Sequence, residues 1–207
     1  MDAKQGREMD AGIAPLRSNY DCYGDFYSRG IHECRKSLDI ILRGTNITKP
    51  DFMVLMMNPG GSRPATGQPK HGRVRAEPDD TQHQIMKLMN HARFEFARIL
   101  NLSDIREPKS KKFREKLAQA GKDQTHSIFD SSRNCEFDRL YVHGAPVLLA
   151  WGVHKDLEPL ARLALAATVG EDARGLKKEG DSWSYYHPLP PLQANRRKWL
   201  ADIESQF

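Results

Sequence analysis

The chain is poor in the features that mark secreted, membrane-spanning and metal-binding proteins. It has three cysteines among 207 residues, Cys22, Cys34 and Cys135. An odd number at wide spacing argues against a disulfide scaffold, and without a CxxC pair there is no signature for zinc or an iron–sulfur cluster. No apolar run approaches the roughly 20 residues that cross a bilayer. The opening MDAKQGREMDAG lacks the apolar centre of a secretory signal. There is no internal repeat and no low-complexity tract. GxSxG and GxxxxGKS/T are also missing, which removes the usual equipment of serine-triad acyl transfer and of P-loop phosphoryl transfer. The expectation is a reduced, cytoplasmic, monomeric protein with no metal and no cofactor.

What is present describes one globular domain, with 39% hydrophobic and 29% charged residues. Residues 1–19 read as a flexible arm and 20–207 as a single domain. The net charge is +5, with positive residues gathered at 63–75, 109–116 and 196–198. These are either three solvated faces or a surface for a polyanion.

Apolar and polar spacing then orders the chain. Residues 20–30 are rich in aromatics, and 33–42 read as a helix. Residues 52–57 (FMVLMM) are an apolar strand broken by Asn58-Pro59-Gly60-Gly61, and a long loop runs on to Pro78. Asp79 or Asp80 caps a helix whose Ile85, Leu88, Met89, Ala92 and Phe96 fall at helical spacing. A short strand at 97–102 follows, then a helix at 109–120 that stops at Gly121, a polar loop at 122–133 and a helix at 135–142. VLLA at 147–150 is a buried strand ending at Trp151-Gly152. An Ala/Leu-rich helix spans 157–169, and a short strand at 184–186 runs into His187-Pro188. Leu192, Trp199, Leu200 and Ile203 mark a C-terminal helix. Apolar strands alternating with helices imply a parallel sheet covered on both faces. In such sheets ligands bind beyond the carboxyl ends of the strands. Those ends carry two asparagines and a histidine, with no carboxylate pair.

The order strand-NPG, strand-LN, strand-LLxWG, strand-HP resembles the uracil-DNA glycosylase superfamily. Asn58-Pro59-Gly60 is similar to the first motif of its mismatch-specific thymine/uracil branch, and His187-Pro188 to the histidine-proline motif of its uracil-specific branch. NPGG, DDT (79–81), NLSDIREP (101–108), AWG and HP together resemble a bacterial family of unknown function within it. The resemblance covers about 50–200. It implies an α/β/α sandwich of three layers around a short, mostly parallel four-stranded sheet. It also implies hydrolysis of the bond between a base and its deoxyribose in double-stranded DNA, with the target nucleotide flipped out.

That chemistry assigns roles. Asn58 suits holding the attacking water, as a poor base that positions rather than deprotonates. His187 suits donating a hydrogen bond to the departing base, although it could equally cap a turn at a strand end. Pro59, Gly60 and Gly61 give a rigid turn that lets a ligand approach the backbone. Asn101 reads the base edge, as the resemblance implies, or satisfies loop backbone. Asp80 either activates water or caps its helix, and Trp151 is a packing residue. Leu192 or Gln193 would fill the gap left by the flipped base. Arg196, Arg197 and Ser62 would hold phosphates, together with Arg63, Lys70, Arg73 and Arg75 of the basic loop. The aromatic that stacks on the base is sought among Tyr20, Tyr23, Phe26 and Tyr27.

Departures from the superfamily pattern refine the expectation. Gly60 stands where the uracil-specific branch has a bulky aromatic, so the pocket is open toward C5 of a pyrimidine. With the polar 61–78 loop, this points to a C5-modified base such as the glucosylated hydroxymethylcytosine of phage DNA, and hence to antiviral defence. Leu189 replaces a serine that contacts phosphate. No lysine stands beside either motif, which disfavours an imine-forming lyase. The alternatives are a uracil or mismatched-thymine repair glycosylase, a catalytically silent DNA-binding domain, and a hydrolase of free nucleosides.

Overall fold

A computed structural model of the chain describes residues 13–121 and 123–207. Most of the expected N-terminal arm lies outside these residues. Its end, Ile13–Ser18, is a helix (α1), and Arg17 on it reaches Asp80 and His83.

The strands are β1 (Tyr20–Arg29), β2 (His32–Leu42), β3 (Phe52–Met56), β4 (Arg63–Pro64), β5 (Gly72–Glu77), β6 (Phe96–Asn101), β7 (Val147–Leu149) and β8 (Ala173–Arg174). They form one sheet in the order β4-β5-β1-β2-β6-β3-β7-β8. Pairings from β4 to β6 are antiparallel, and β6, β3, β7 and β8 run parallel. The expected short, mostly parallel four-stranded sheet is therefore overturned: the sheet has eight strands and is mixed.

Three local misreadings account for the difference. Residues 33–42, expected as a helix, are β2, paired with β1 through the two-residue turn Gly30-Ile31. The expected loop at 61–78 contains β4 and β5, which extend the antiparallel edge. Residues 184–186 form no strand; Tyr185 makes only isolated bridges to Gly152 and Lys177, and β8 takes the place beside β7.

The helices follow the sequence more closely. In α2 (Asp80–Ala92), Asp79 is the cap: its carboxylate accepts from Thr81 and Gln82 N–H, while Gln82 returns a bond to Asp79 N–H. Arg93, in the left-handed region at φ 61°, ends α2 and leaves Phe96 to begin β6. The others are α3 (Ser110–Ala120), α4 (Asn134–Leu140), α5 (Glu158–Ala167) and α6 (Gln193–Glu204).

Both faces of the central sheet are buried. Met53 and Leu55 of β3 meet Phe113 of α3, Phe137 of α4 and Leu160 of α5. Phe52, Val54 and Met56 point the other way, into a cluster with Ile85 and Leu88 of α2 and Trp199 and Ile203 of α6. Two buried faces explain the unbroken apolar run of β3. Asp51 aligns the start of β3 with that of β6 by accepting from the N–H groups of Glu95 (3.0 Å) and Phe96 (2.9 Å). β3 and β6 therefore end level with each other.

Candidate functional site

The residues just past β3 and at the ends of β6 and β7 line one cleft of ≈ 1150 Å³. Asn58, Pro59, Gly60 and Gly61 come from the first, Asn101 from the second, and Trp151 and Gly152 from the third. His187 and Tyr186 enter from the loop before α6, Asp79 and Asp80 from the start of α2, and Arg35 from β2. Asn58 and His187 thus share a cleft although 129 positions separate them in the chain.

The geometry fixes what each group offers. Asn58 Nδ2 donates to Glu107 O at 2.8 Å and Ile105 O at 3.3 Å. Two carbonyl acceptors dictate which end of the amide is nitrogen, and Oδ1 is left as an acceptor with no partner among the described residues.

His187 is oriented by its neighbours. Leu189 N–H donates to its Nδ1 at 3.1 Å, Gln84 on α2 donates to Pro188 O at 3.4 Å, and Trp199 Nε1 donates to Tyr186 O at 3.0 Å. A ring accepting at Nδ1 carries its proton on Nε2. His187 is half-buried and lines the cleft, and the surrounding protein removes enough water to push its pKa down to about 4. At neutral pH it is an uncharged Nε2–H donor.

Asn101 has no exposed surface, and both of its amide polar atoms are buried without a partner. Leaving a buried donor or acceptor unpaired costs about 1–3 kcal/mol per group. Such a side chain on a cleft wall is matched to a ligand presenting both an acceptor and a donor.

The carboxylates divide differently from the sequence reading. Asp80 lines the cleft but is 69% exposed at its side chain and pairs with Arg17 at 3.5 Å. Asp79 is half-buried. Its Oδ1 caps α2, and its Oδ2 sits 3.2 Å from where a side chain on Gly60 would begin. Gly60, at φ 62°, therefore serves both the turn and this close approach.

Arg35 escaped the sequence reading because it lay inside a supposed helix. It is 1% exposed, and its Nε and Nη1 have no partner. Trp151 is fully buried and donates to Trp183 O at 3.0 Å, so it is a packing residue. None of the four proposed stacking aromatics lines the cleft. Tyr20 and Phe26 are core, the Tyr27 hydroxyl donates to Asp104, and Tyr23 lies under Arg73. Of the aromatics that do line the cleft, Trp151 and Trp199 are buried and Tyr186 is 46% exposed.

The proposed phosphate contacts are scattered. Arg63 pairs with Glu77 (2.8 Å), Arg73 with Asp39 (3.0 Å) and Arg75 with Asp21 (2.5 Å), and none of the three lines the cleft. Ser62 is buried and, unlike Asn101 and Arg35, does not line the cleft. Arg196 Nε donates to Pro190 O at 2.8 Å, holding the loop behind His187. Lys70 and Arg197 are exposed, with no carboxylate partner among the described residues, and so are Gln193 and, at 66%, Leu192. The ionic residues lining the cleft balance, with Arg35, Arg114 and Lys198 against Asp79, Asp80 and Asp202. Any pull on a polyanion must come from the flanks.

A mixed-sheet α/β protein with a ligand-sized cleft at its strand ends is the class defined by this fold and site. The chain belongs to a family described as Protein of unknown function (DUF1643), which matches residues 40–189. That stretch carries Asn58, Asn101 and His187, while Arg35 precedes it. No curated protein and no solved structure matches the chain significantly. Among the described residues no helix is long and apolar enough to cross a membrane, and no group of three or more His, Cys, Asp or Glu side chains could hold a metal ion.

Proposed function

We propose that the protein hydrolyses the N-glycosidic bond of a nucleobase flipped out of DNA, leaving an abasic site. The observation that carries this reading is the sharing of one cleft by a fixed acceptor, a fixed neutral donor and an unpaired amide: Asn58 Oδ1, His187 Nε2–H and Asn101. As the bond stretches, positive charge builds on the sugar and negative charge on the base. Asn58 Oδ1 orients a water toward the sugar, and the water's own proton is released to solvent or to Asp79. His187 donates to an oxygen of the leaving base and stabilises its charge without transferring a proton. Asn101 pairs with the base edge. The order of motifs along the chain supports the same reading.

Gly60 sets no side chain against the base, although Asp79 Oδ2 stands 3.2 Å from where one would begin; the absence of that side chain is what supports a base larger at C5 than uracil, including the glucosylated hydroxymethylcytosine of phage DNA and a role in antiviral defence. Leu192, exposed at the start of α6 beside the cleft-lining Pro191, supports a wedge role.

The test is incubation with labelled oligonucleotides carrying uracil, mismatched thymine or glucosylated hydroxymethylcytosine, followed by alkali. Strand breaks at the modified position, lost in Asn58→Ala, are expected. Their absence from all three substrates, with tight binding retained, would leave a silent DNA-binding domain.

A second reading, hydrolysis of a free nucleoside or nucleotide, is favoured by one observation. Arg63, Arg73 and Arg75 each pair with a carboxylate of the same chain, and the cleft lining is electrically balanced. Arg197→Glu separates the two. On DNA it should weaken binding and lower the salt slope by about 1, whereas a free-nucleoside hydrolase would be indifferent.

A further inference from the structure

The guanidinium of Arg35 has no role in the reaction just described. Two half-buried arginines are satisfied: Arg133 bonds Asp104 and Glu136, each at 2.7 Å, and Arg98 grips Asp39 through Nε (2.7 Å) and Nη2 (3.1 Å). Arg35 is bonded through its backbone, its N–H donating to Asp104 O at 2.9 Å. No hydrogen bond or ion pair reaches its guanidinium among the described residues, and Nε and Nη1 are buried. The acidic groups whose fields reach it, Asp79 and Asp104, make no hydrogen bond or ion pair with it: Asp79 caps α2 through Oδ1, and Asp104 accepts from Tyr27 and Arg133 through Oδ2 while its Oδ1 has no partner among the described residues. Burial lowers the Arg35 pKa to about 10, which still leaves it charged at neutral pH.

A permanently charged fork of N–H donors, dry and unpaired, is the arrangement that takes a carboxylate or phosphate through parallel hydrogen bonds. Arg35 lines the same cleft as Asn58, Asn101 and His187. We propose that Arg35 forms an oxyanion subsite in the wall of this cleft and binds a phosphate or carboxylate carried by the ligand. This deepens the N-glycosidic reading and rests on the same cleft. The substrate carries an anionic group inside the pocket, either the phosphate of a nucleotide or an acidic substituent on the base.

The test reads binding alone, so it fails independently of the abasic-site assay. The full chain is titrated by calorimetry and by thermal unfolding with inorganic phosphate, nucleoside 5′-monophosphates, the matching nucleosides, and 5-carboxypyrimidines beside their unsubstituted bases. At least one anion should bind and raise the melting temperature, and Arg35→Gln and Arg35→Met should weaken it by more than about tenfold. Without anions, Arg35→Met should melt no lower than the native chain, because it removes an uncompensated buried charge. A response shared by phosphate and nucleotides places the anion on the phosphate; one confined to carboxypyrimidines places it on the base. Should Arg35→Met fail to fold, Arg35→Lys keeps the charge without the fork and should still bind several-fold more weakly. Absence of anion binding to the native chain at millimolar concentration, or equal binding by native and variant proteins, overturns the subsite.

Discussion

Replacing Asn58 with aspartate separates holding a water from deprotonating it. In the native chain Nδ2 lies 2.8 Å from Glu107 O and 3.3 Å from Ile105 O. In Asn58→Asp an ionised carboxylate would set an acceptor against both acceptors. Losing two hydrogen bonds at about 1 kcal/mol each, and leaving two carbonyls facing an oxygen, destabilises the fold by about 2–4 kcal/mol. A proton on that carboxylate restores the bond to Glu107 O and leaves the other oxygen free as the acceptor. The folded pKa of the introduced carboxyl is therefore raised above its unfolded value of about 3.9. With the sign this way round, its stability is greatest at low pH and falls as the pH rises through the folded pKa. Urea unfolding should show a larger deficit against the native chain at pH 8 than at pH 5. Under single-turnover conditions, alkali-labile sites should form more slowly as pH rises. Asn58→Ala, lacking any acceptor, should be slower than the native chain by about 100-fold, or about 2.7 kcal/mol in the barrier. If Asn58→Asp outpaced the native protein with a rate rising with pH, the side chain would be a general base, and the positioning argument would be refuted.

Three further outcomes follow from the geometry. Burial holds His187 at about 4, below the unfolded value of about 6.5, so the unfolded chain takes up protons first on acidification; stability present above pH 6.5 is lost toward pH 4, by about 3 kcal/mol from this group. His187→Gln should flatten that acid loss in urea titrations, and an unchanged pH dependence would contradict the burial argument. Asn101→Leu removes two buried unpaired polar atoms and should hold or raise the melting temperature while slowing base release by more than about tenfold. A marked drop in melting temperature would show that the amide is bonded in the folded protein. A side chain at Gly175 would start 2.4 Å from Leu149 O, so Gly175→Ala should destabilise the fold by about 2–4 kcal/mol in urea; a change within about 0.5 kcal/mol would argue against that close approach.

The amino-acid sequence by itself determined the punctuation of the central fold. β3 was legible because an apolar run stops at Asn58-Pro59-Gly60. α2, α3, α5 and α6 were legible because helical spacing met a capping aspartate at 79, a glycine at 121 and a proline tolerated at 159. Asn58 and Asn101 stood out because each polar side chain interrupts or follows apolar chain where a strand ends; His187 stood out on the same expectation, although no strand runs into it.

The antiparallel half stayed hidden. β2 is buried on both faces, and its pairing with β1 is bulged near Gly24–Phe26. It therefore lacks the alternation that separates a strand from a helix. β1 does alternate, with Tyr20, Cys22 and Phe26 buried, but its 11-residue partner β2 read as a helix, so the pairing was not recognised. Which charges are free was likewise a tertiary decision. Strand register places Arg63, Arg73 and Arg75 against Glu77, Asp39 and Asp21, while Arg35 is carried into a buried wall where its guanidinium has no hydrogen-bond or ion-pair partner among the described residues. Local sequence carries periodicity and breaks. Whether a charged side chain is neutralised or left for a ligand depends on which distant strand lies beside it, and only the assembled sheet settles that.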